Sequence, residues 1–475
     1  MRLDQLLEGS SSQVEITALA YDSRLAAPGT LFFCVPGFQQ DGHDYAADAV
    51  ARGASALVVE RALGLGVPEA VVPSSRAAMA GAAARFYEDP TASLQVVGVT
   101  GTNGKTTSAF LVRELLEAAG RQTALLGTVK AVIGGADRPV QRTTAEAIDL
   151  QRDFSEMLRA GDRACALEVS SHALELHRVD AVHYAAAIFT NLTQDHLDFH
   201  PDMESYFQAK RRLFAAESAP AVAVLNIDDP YGRRLAAEFP AARTFGRGGH
   251  YAARGVSFTI SGARFQLEHP GGSCELNSPL PGAFNVYNVL GAVAAVHSLG
   301  VPLEVVARAL PGVAPVPGRF QPIDEGQPFA VLVDYAHTPD SLENVLSAAR
   351  TLTERRLVCV FGCGGDRDRG KRPQMGRIAA ELADAVIVTS DNPRSERPEE
   401  IVAQIVEGAG AAAIAMIDRR AAIEHAVESA GRGDVVVIAG KGHEQGQQFA
   451  DGLELPFDDA TVAREALRKC GGAAP

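Results

Sequence analysis

Short runs of consecutive apolar residues recur along the chain, separated by alanine-rich stretches of helical character. The runs fall at 56–60, 94–99, 166–169, 221–225, 329–333, 357–361, 385–389 and 435–439. Each is made mostly of Val, Ile, Leu and Ala, the pattern of a strand covered by helices on both faces. Strand and helix in repeated alternation predict an α/β fold with parallel or mixed sheets. The segment 246–279 breaks the pattern and reads as antiparallel β structure with turns.

Two interruptions divide the chain. The polar, proline-containing Glu88-Asp-Pro-Thr-Ala-Ser93 precedes the run that feeds a glycine loop. The Pro/Gly-rich Leu310-Pro-Gly-Val-Ala-Pro-Val-Pro-Gly318 follows much later. They predict three domains, 1–90, 91–314 and 315–475. That agrees with 475 residues at roughly 100–200 per domain.

Composition narrows the class. Hydrophobic residues make up 47% and charged residues 21%, with a net charge of -14. No Lys/Arg tract interrupts the acidic background, which argues against a nucleic-acid or acidic-membrane surface. An anionic substrate must then meet locally concentrated positive charge. The first ten residues carry Asp and Glu and lack a signal-peptide core, and no run approaches ~18 apolar residues, so membrane insertion is not expected. The cysteines at 34, 165, 274, 359, 363 and 470 form no C-x-x-C pair. A disulfide framework or zinc site is not expected, and a reducing, cytoplasmic setting fits.

The strongest chemical signal is Thr100-Gly-Thr-Asn-Gly-Lys-Thr-Thr107, placed between a strand and a helix. Glycines let backbone N–H groups converge on phosphate oxygens, and the helix N-terminus adds partial positive charge. Gly101, Thr102, Asn103, Gly104, Lys105, Thr106 and Thr107 therefore form a candidate ATP loop. Lys105 would pair with the β/γ-phosphates and Thr106 would ligate Mg²⁺. Val99 stands where a standard P-loop carries its first glycine, and glycines sit at 98, 101 and 104 instead. The loop is thus not that of a GTPase or kinase.

Further polar clusters follow strand-like runs. Glu168, Ser170, Ser171 and His172 close the first, where a carboxylate beside a phosphate loop suits Mg²⁺. Asn191, Asp195, His196 and Asp198 form the next, able to reach a metal or phosphate. Asn285 and Asn288 share a helix face and could bond a base or simply cap. Asp334 and His337 close another run. Gly362-Cys-Gly-Gly-Asp-Arg-Asp-Arg-Gly-Lys-Arg-Pro373, Asp391-Asn-Pro-Arg394 and Gly440-Lys-Gly-His-Glu444 follow three more. Strand C-termini are where open α/β sheets bind ligands. Arg367 and Arg394 can each grip a carboxylate in a bidentate fork, and Glu444 can hold an amine. Together they would recognise a zwitterion with more than one carboxylate.

These motifs, from Asp22-Ser-Arg24 to Gly440-Lys-Gly-His-Glu444, resemble the Mur ligases, the ATP-dependent amide-forming enzymes of peptidoglycan precursor synthesis. The resemblance implies an N-terminal UDP-binding domain, a central ATPase domain and a C-terminal Rossmann-like domain that brings an amino acid. It implies a monomer with ATP as co-substrate and Mg²⁺ as cofactor. It implies that Lys210 in Gln-Ala-Lys-Arg is carbamoylated and joins Thr106, Glu168 and His196 at the metal, with Lys105 beside them. Asn288 and Arg319 would contact the nucleotide. Ser23, Gln39, Thr143, Thr144, Ser170 and Arg178 would contact UDP-MurNAc-L-Ala-D-Glu. Asp391-Asn-Pro-Arg394 resembles the motif of members that add meso-2,6-diaminopimelate, which implies that Arg367, Asp391, Asn392, Pro393, Arg394, Gly440 and Glu444 bind it. Diaminopimelate is lysine with a second carboxylate, and Arg394 offers that carboxylate a partner that lysine would leave unpaired. Two rivals are a folylpolyglutamate synthetase and a P-loop regulator without ligase activity. The Asp22-Ser-Arg region and Asp-Asn-Pro-Arg count against the first, and the carboxylate-gripping loops against the second.

Overall fold

Each predicted apolar run lies within or overlaps a strand, and successive residues along it enter two different apolar cores. In the computed structural model, which describes residues 1–38, 40–215 and 219–471, the central sheet shows this most clearly. Val97 and Val99 of strand Gln95–Thr100 share one core with Ala164, Ala166 and Ile188, beneath helices Lys105–Ala118 and Ala283–Ser298. Val96, Cys165, Leu167 and Phe189 share the opposite core with Phe154, Tyr206 and Phe207. A two-residue period with both faces covered leaves no polar face, which is why the sequence shows continuous apolar runs.

Three sheets carry the three regions. Residues 18–71 form four parallel strands in sequence order. The central sheet has eight strands, in the order Arg243–Phe245, Ala223–Asn226, Tyr184–Phe189, Gln95–Thr100, Ala164–Glu168, Thr123–Leu126, Ala131–Ile133 and Ala136–Arg138. The first six are parallel and the last two antiparallel. The third sheet runs Gln321–Ile323, Ala330–Asp334, Val435–Ala439, Leu357–Phe361, Ala385–Val388 and Ile414–Ala415, antiparallel only at its first pair. Strands Ala252–Thr259, Gly262–His269 and Gly272–Ser278 form the antiparallel insert.

Register places the chemistry. Val99 lies opposite Glu168, and Thr100 opposite Phe189, so three strand ends open at one level. In the third sheet Asp334 lies opposite Ala439, and Ala439 opposite Phe361. The predicted amino-acid motifs follow strands Leu357–Phe361, Ala385–Val388 and Val435–Ala439.

Polar contacts tie the regions together. Tyr21 donates to Asp149 at 2.6 Å and Arg76 to Glu146 at 3.3 Å, docking the N-terminal region on helix Ala147–Ala160. Asn103 donates to Asp340 at 2.8 Å and Arg319 to Thr106 at 3.3 Å, docking the third region on the phosphate loop. No helix of the described residues is long and apolar enough to cross a membrane. All six cysteines are unpaired.

Candidate active site

The phosphate loop is set by two glycines with positive φ. Gly101 has φ 149° and Gly104 has φ 84°, where an L side chain is strained. A Cβ on Gly104 would also lie 2.3 Å from Asn288 Oδ1. Gly98 serves a different purpose. It sits inside the strand, where a Cβ would meet the Tyr184 ring at 2.8 Å. It makes room for packing, and the loop itself depends on Gly101 and Gly104.

Lys105 opens the helix and its ammonium donates to the carbonyls of Gly101 at 2.9 Å and Thr102 at 2.8 Å. Burial holds its pKa below the usual lysine range, against the pull of Glu168 and Asp195. Thr190 donates to Asn103 O at 2.6 Å, and Asn191 Oδ1 accepts from Asn103 N at 2.9 Å. The segment that follows strand Tyr184–Phe189 thereby fixes the loop's shape. Asn288 lies behind it, accepting from Ser108 at 3.4 Å and donating to Asn285 at 3.0 Å.

Glu168 is fully buried. It accepts from Thr106 Oγ1 at 3.0 Å, Thr128 N at 2.8 Å and Thr128 Oγ1 at 3.0 Å. A buried carboxylate against a threonine hydroxyl at a phosphate loop is a hard-oxygen donor set, which fits Mg²⁺. His196 and Lys210 line the same cavity. Lys210 is 1% exposed, donates to Gly101 O at 2.9 Å and sits 4.7 Å from the Tyr206 ring centre. Burial, then the charge of Lys105, pushes its pKa well below the usual lysine range. His172 packs edge-on against His196, and burial lowers its pKa to about 4. Asp198 is exposed and is not among the cavity's lining residues.

On the far side of Glu168 lies a second set. Thr144 donates to Glu168 O at 2.8 Å and accepts from Ser170 N at 3.2 Å, while Thr143 accepts from Thr128 at 3.1 Å. Arg178 donates to Thr144 O at 3.1 Å and pairs with Glu146 at 2.8 Å. Glu146, 5% exposed, also pairs with Arg142 and Arg76. Three guanidiniums on one carboxylate leave a net positive charge beside the cavity. The Nε atoms of Arg178 and Arg319 are buried and make no hydrogen bond within the described residues. Both observations fit anionic ligands.

Thr102–Thr107, Thr143, Thr144, Glu168, Ser170, Arg178, His196, Lys210, Asn288 and Arg319 all line one cavity of about 680 Å³. Ser23 does not; it is buried at the start of a short 3₁₀ turn in the N-terminal region. Gln39 lies outside the described residues.

The predicted amino-acid residues form a separate cluster at the strand ends of the third sheet. Arg394 donates to Gly365 O at 2.8 Å and to Gln448 Oε1 at 3.2 Å. A Cβ on Gly364 would fall 2.9 Å from Arg394 and 3.9 Å from Arg367 Cγ, so this glycine sits between the two arginines. Asn392 donates to Glu444 at 2.8 Å. Gly440, at φ 118°, brings the backbone close to Asp391, where a Cβ would meet Oδ2 at 2.6 Å. Pro393 is buried. The fully buried Arg372 forms a two-point pair with Glu396 at 2.8 and 3.0 Å and anchors the loop that carries Arg367. Tyr335 links the cluster to the cavity, which it lines, by packing on His443 at 5.1 Å.

Sequence reasoning missed Thr128, Glu146, Arg76, Asp340 and Lys441. Asp340 stands three residues beyond His337, and Glu146 two beyond Thr144. Lys441 lies inside the Gly440-Lys-Gly-His-Glu444 motif, which gave it no role of its own, and Thr128 and Arg76 carried no local signal.

Three family models match the chain: "Mur ligase family, catalytic domain" at residues 15–95, "Mur ligase middle domain" at 99–296, and "Mur ligase, glutamate ligase domain" at 318–442. A UDP-N-acetylmuramoyl-L-alanyl-D-glutamate--2,6-diaminopimelate ligase from Geobacillus kaustophilus is 47% identical, covering 96% of both chains. The enzyme of that name from Solibacter usitatus is 46% identical, covering 99% of this chain and 97% of its own. A solved structure of a ligase of that name aligns over 99% of both chains, with TM-score 0.73 and 34% identity. Mycobacterium tuberculosis folylpolyglutamate synthase, at 19% identity and TM-score 0.64 over 84% of this chain, shares the fold. The chain belongs to the Mur ligase family.

Proposed function

We propose that this ligase joins meso-2,6-diaminopimelate to the D-Glu γ-carboxylate of UDP-MurNAc-L-Ala-D-Glu at the expense of ATP. The observation that carries the reading is Arg394, held by Gly365 and Gln448 beside Asn392 and Glu444. A guanidinium, a carboxylate and an amide in one small cluster match the zwitterionic end of an amino acid with an extra carboxylate. Relatives bearing that activity in their names cover nearly the whole chain.

The γ-carboxylate oxygen attacks the γ-phosphorus of ATP, the bond to the β-bridging oxygen breaks, and ADP leaves. The product is an acyl phosphate. Lys105 and the N-terminus of the helix it opens would meet the charge that builds on the transferred group, since the Thr102 and Asn103 amides already donate to Asn191. Mg²⁺, when bound, neutralises phosphate charge, and Thr106, Glu168, His196 and a carbamoylated Lys210 would hold it. A neutral amine of diaminopimelate then attacks the acyl carbon. The tetrahedral intermediate expels phosphate, and the ammonium that forms loses a proton. No covalent enzyme intermediate is needed.

Arg178, with Thr143, Thr144 and Ser170, would orient the acid substrate next to the phosphate loop, and Ser23 and Gln39 would hold its UDP end. Asn288 and Arg319 would hold the nucleotide, Arg319 already stacking on Tyr335 at 4.6 Å. Burial disfavours the ammonium form of Lys210, and the uncharged amine is the form that adds carbon dioxide, which supports carbamoylation there. Intact mass under native conditions should show one added carbon dioxide, lost in Lys210→Ala; an unmodified, active wild type would overturn it.

The activity itself is tested by ADP release. Release should require both UDP-MurNAc-L-Ala-D-Glu and diaminopimelate and should accompany formation of the tripeptide. Amino-acid-independent release with no new amide would contradict the reading.

A further inference from the structure

The amino-acid cluster is built on a lysine that no assigned role uses. Lys441 follows strand Val435–Ala439, and its side chain is 0% exposed. Its ammonium donates to Asn392 Oδ1 at 2.8 Å and to Glu444 Oε2 at 3.0 Å. Asn392 Nδ2 donates to that same Glu444 oxygen at 2.8 Å. The backbone N–H of Gln448 donates to Asn392 Oδ1 at 3.0 Å, and the Gln448 side chain accepts from Arg394. A buried charge thus sits at the root of a chain of bonds that ends on both recognition arms.

Two consequences follow from the atoms. Asn392 is largely committed: its oxygen accepts twice and one of its N–H groups is taken, so it braces its neighbours. Glu444 is committed on one side only. Oε2 is shared by Lys441 and Asn392, while Oε1 receives no hydrogen bond from the described residues, and the side chain is 32% exposed. A carboxylate pinned through one oxygen presents the other in a fixed direction.

We propose that Lys441 is a positioning residue for the amine arm of the site. Its buried ammonium fixes Glu444 so that Oε1 receives the ammonium of the amino-acid substrate that does not react, while Arg394 takes the neighbouring carboxylate. The reacting amine must be neutral, so the group that pairs with Glu444 is the other one. This rests on the functional reading above and deepens it: selection for the second amino group comes from Glu444 held by Lys441, and selection for the second carboxylate from Arg394.

The experiment compares kcat/KM for diaminopimelate and for 2-aminopimelate, which keeps both carboxylates and lacks the second amine. Wild-type enzyme should prefer diaminopimelate on the order of a hundredfold, as a site with a polar group left unpaired rejects the smaller analogue. Lys441→Met should lower that preference about tenfold, through KM for diaminopimelate, with KM for ATP and for the UDP substrate unchanged. Glu444→Gln should do the same, and the double variant should lose little more than either single one. A purely structural lysine would instead lower both amino-acid activities equally, and that result, or an undiminished preference in Lys441→Met, overturns the proposal. If Lys441→Met melts below the assay temperature, Lys441→Gln is read by the same criteria, and an undiminished preference in the outward-facing Glu444→Gln also overturns it. Wild-type enzyme that uses neither compound would overturn the functional reading and this inference with it.

Discussion

Asn103, in the phosphate loop, donates its side-chain amide to Asp340 at 2.8 Å, across 237 residues of sequence. Thr193 donates to the same oxygen at 2.9 Å. Asp340 lies in the first turn of helix Pro339–Thr351, so one carboxylate connects the nucleotide loop to the region that carries the amino-acid cluster. Asp340→Ala removes an acceptor shared by two donors, worth about 1.5 kcal/mol or more for a charged partner. Steady-state kinetics should show kcat down roughly tenfold, with a stability loss of about the same size in chemical denaturation.

Among the described residues, Glu146 is the single counter-charge for Arg76, Arg142 and Arg178. Its removal crowds like charges in a partly buried site. Glu146→Ala should destabilise by about 3 kcal/mol in chemical denaturation. It should also raise KM for the UDP substrate about tenfold, while KM for ATP stays near wild type.

Two glycines that look alike in the sequence should behave differently. Gly98→Ala places a methyl against the Tyr184 ring at 2.8 Å, an overpacking that costs about 1–3 kcal/mol. ATP affinity should be retained. Gly104→Ala strains a φ of 84° and drives a methyl into Asn288, and ATP binding measured by calorimetry should be lost.

Glu396 carries a predicted pH dependence. Its hydrogen bonds from Arg372 hold its pKa down to about 2, against about 4.3 in an unfolded chain. A depressed folded value means that the pair stabilises above the unfolded pKa and is lost as pH falls toward the folded one. The stability gap between wild type and Glu396→Gln should therefore be constant above pH ~5 and shrink between pH ~4.3 and ~2, read as denaturation midpoints across that range.

These positions also mark how far the sequence could be read. The strands were legible because burial on both faces demands continuous Val, Ile, Leu and Ala, as at 435–439 and 357–361. The phosphate loop was legible because Gly101, Gly104 and Lys105 act through local backbone geometry. Gly98 could not be told from them, since its reason is a ring 86 positions away. Glu146 with Arg76, Asp340 with Asn103 and Lys441 with Asn392 are pairs made by tertiary packing across long sequence separations, and no local pattern encodes them. Thr143, Thr144 and Arg178 came from family resemblance, and only the fold shows them converging on Glu168 and Glu146.

The most direct test is amino-acid-dependent phosphate release with UDP-MurNAc-L-Ala-D-Glu, ATP and either meso-diaminopimelate or L-lysine, in wild type and Arg394→Ala. Wild-type kcat/KM should favour diaminopimelate by on the order of 10³ or more, and Arg394→Ala should erode most of that ratio through the loss of diaminopimelate turnover. Comparable wild-type turnover of the two amino acids, or an undiminished ratio in Arg394→Ala, would contradict the assignment.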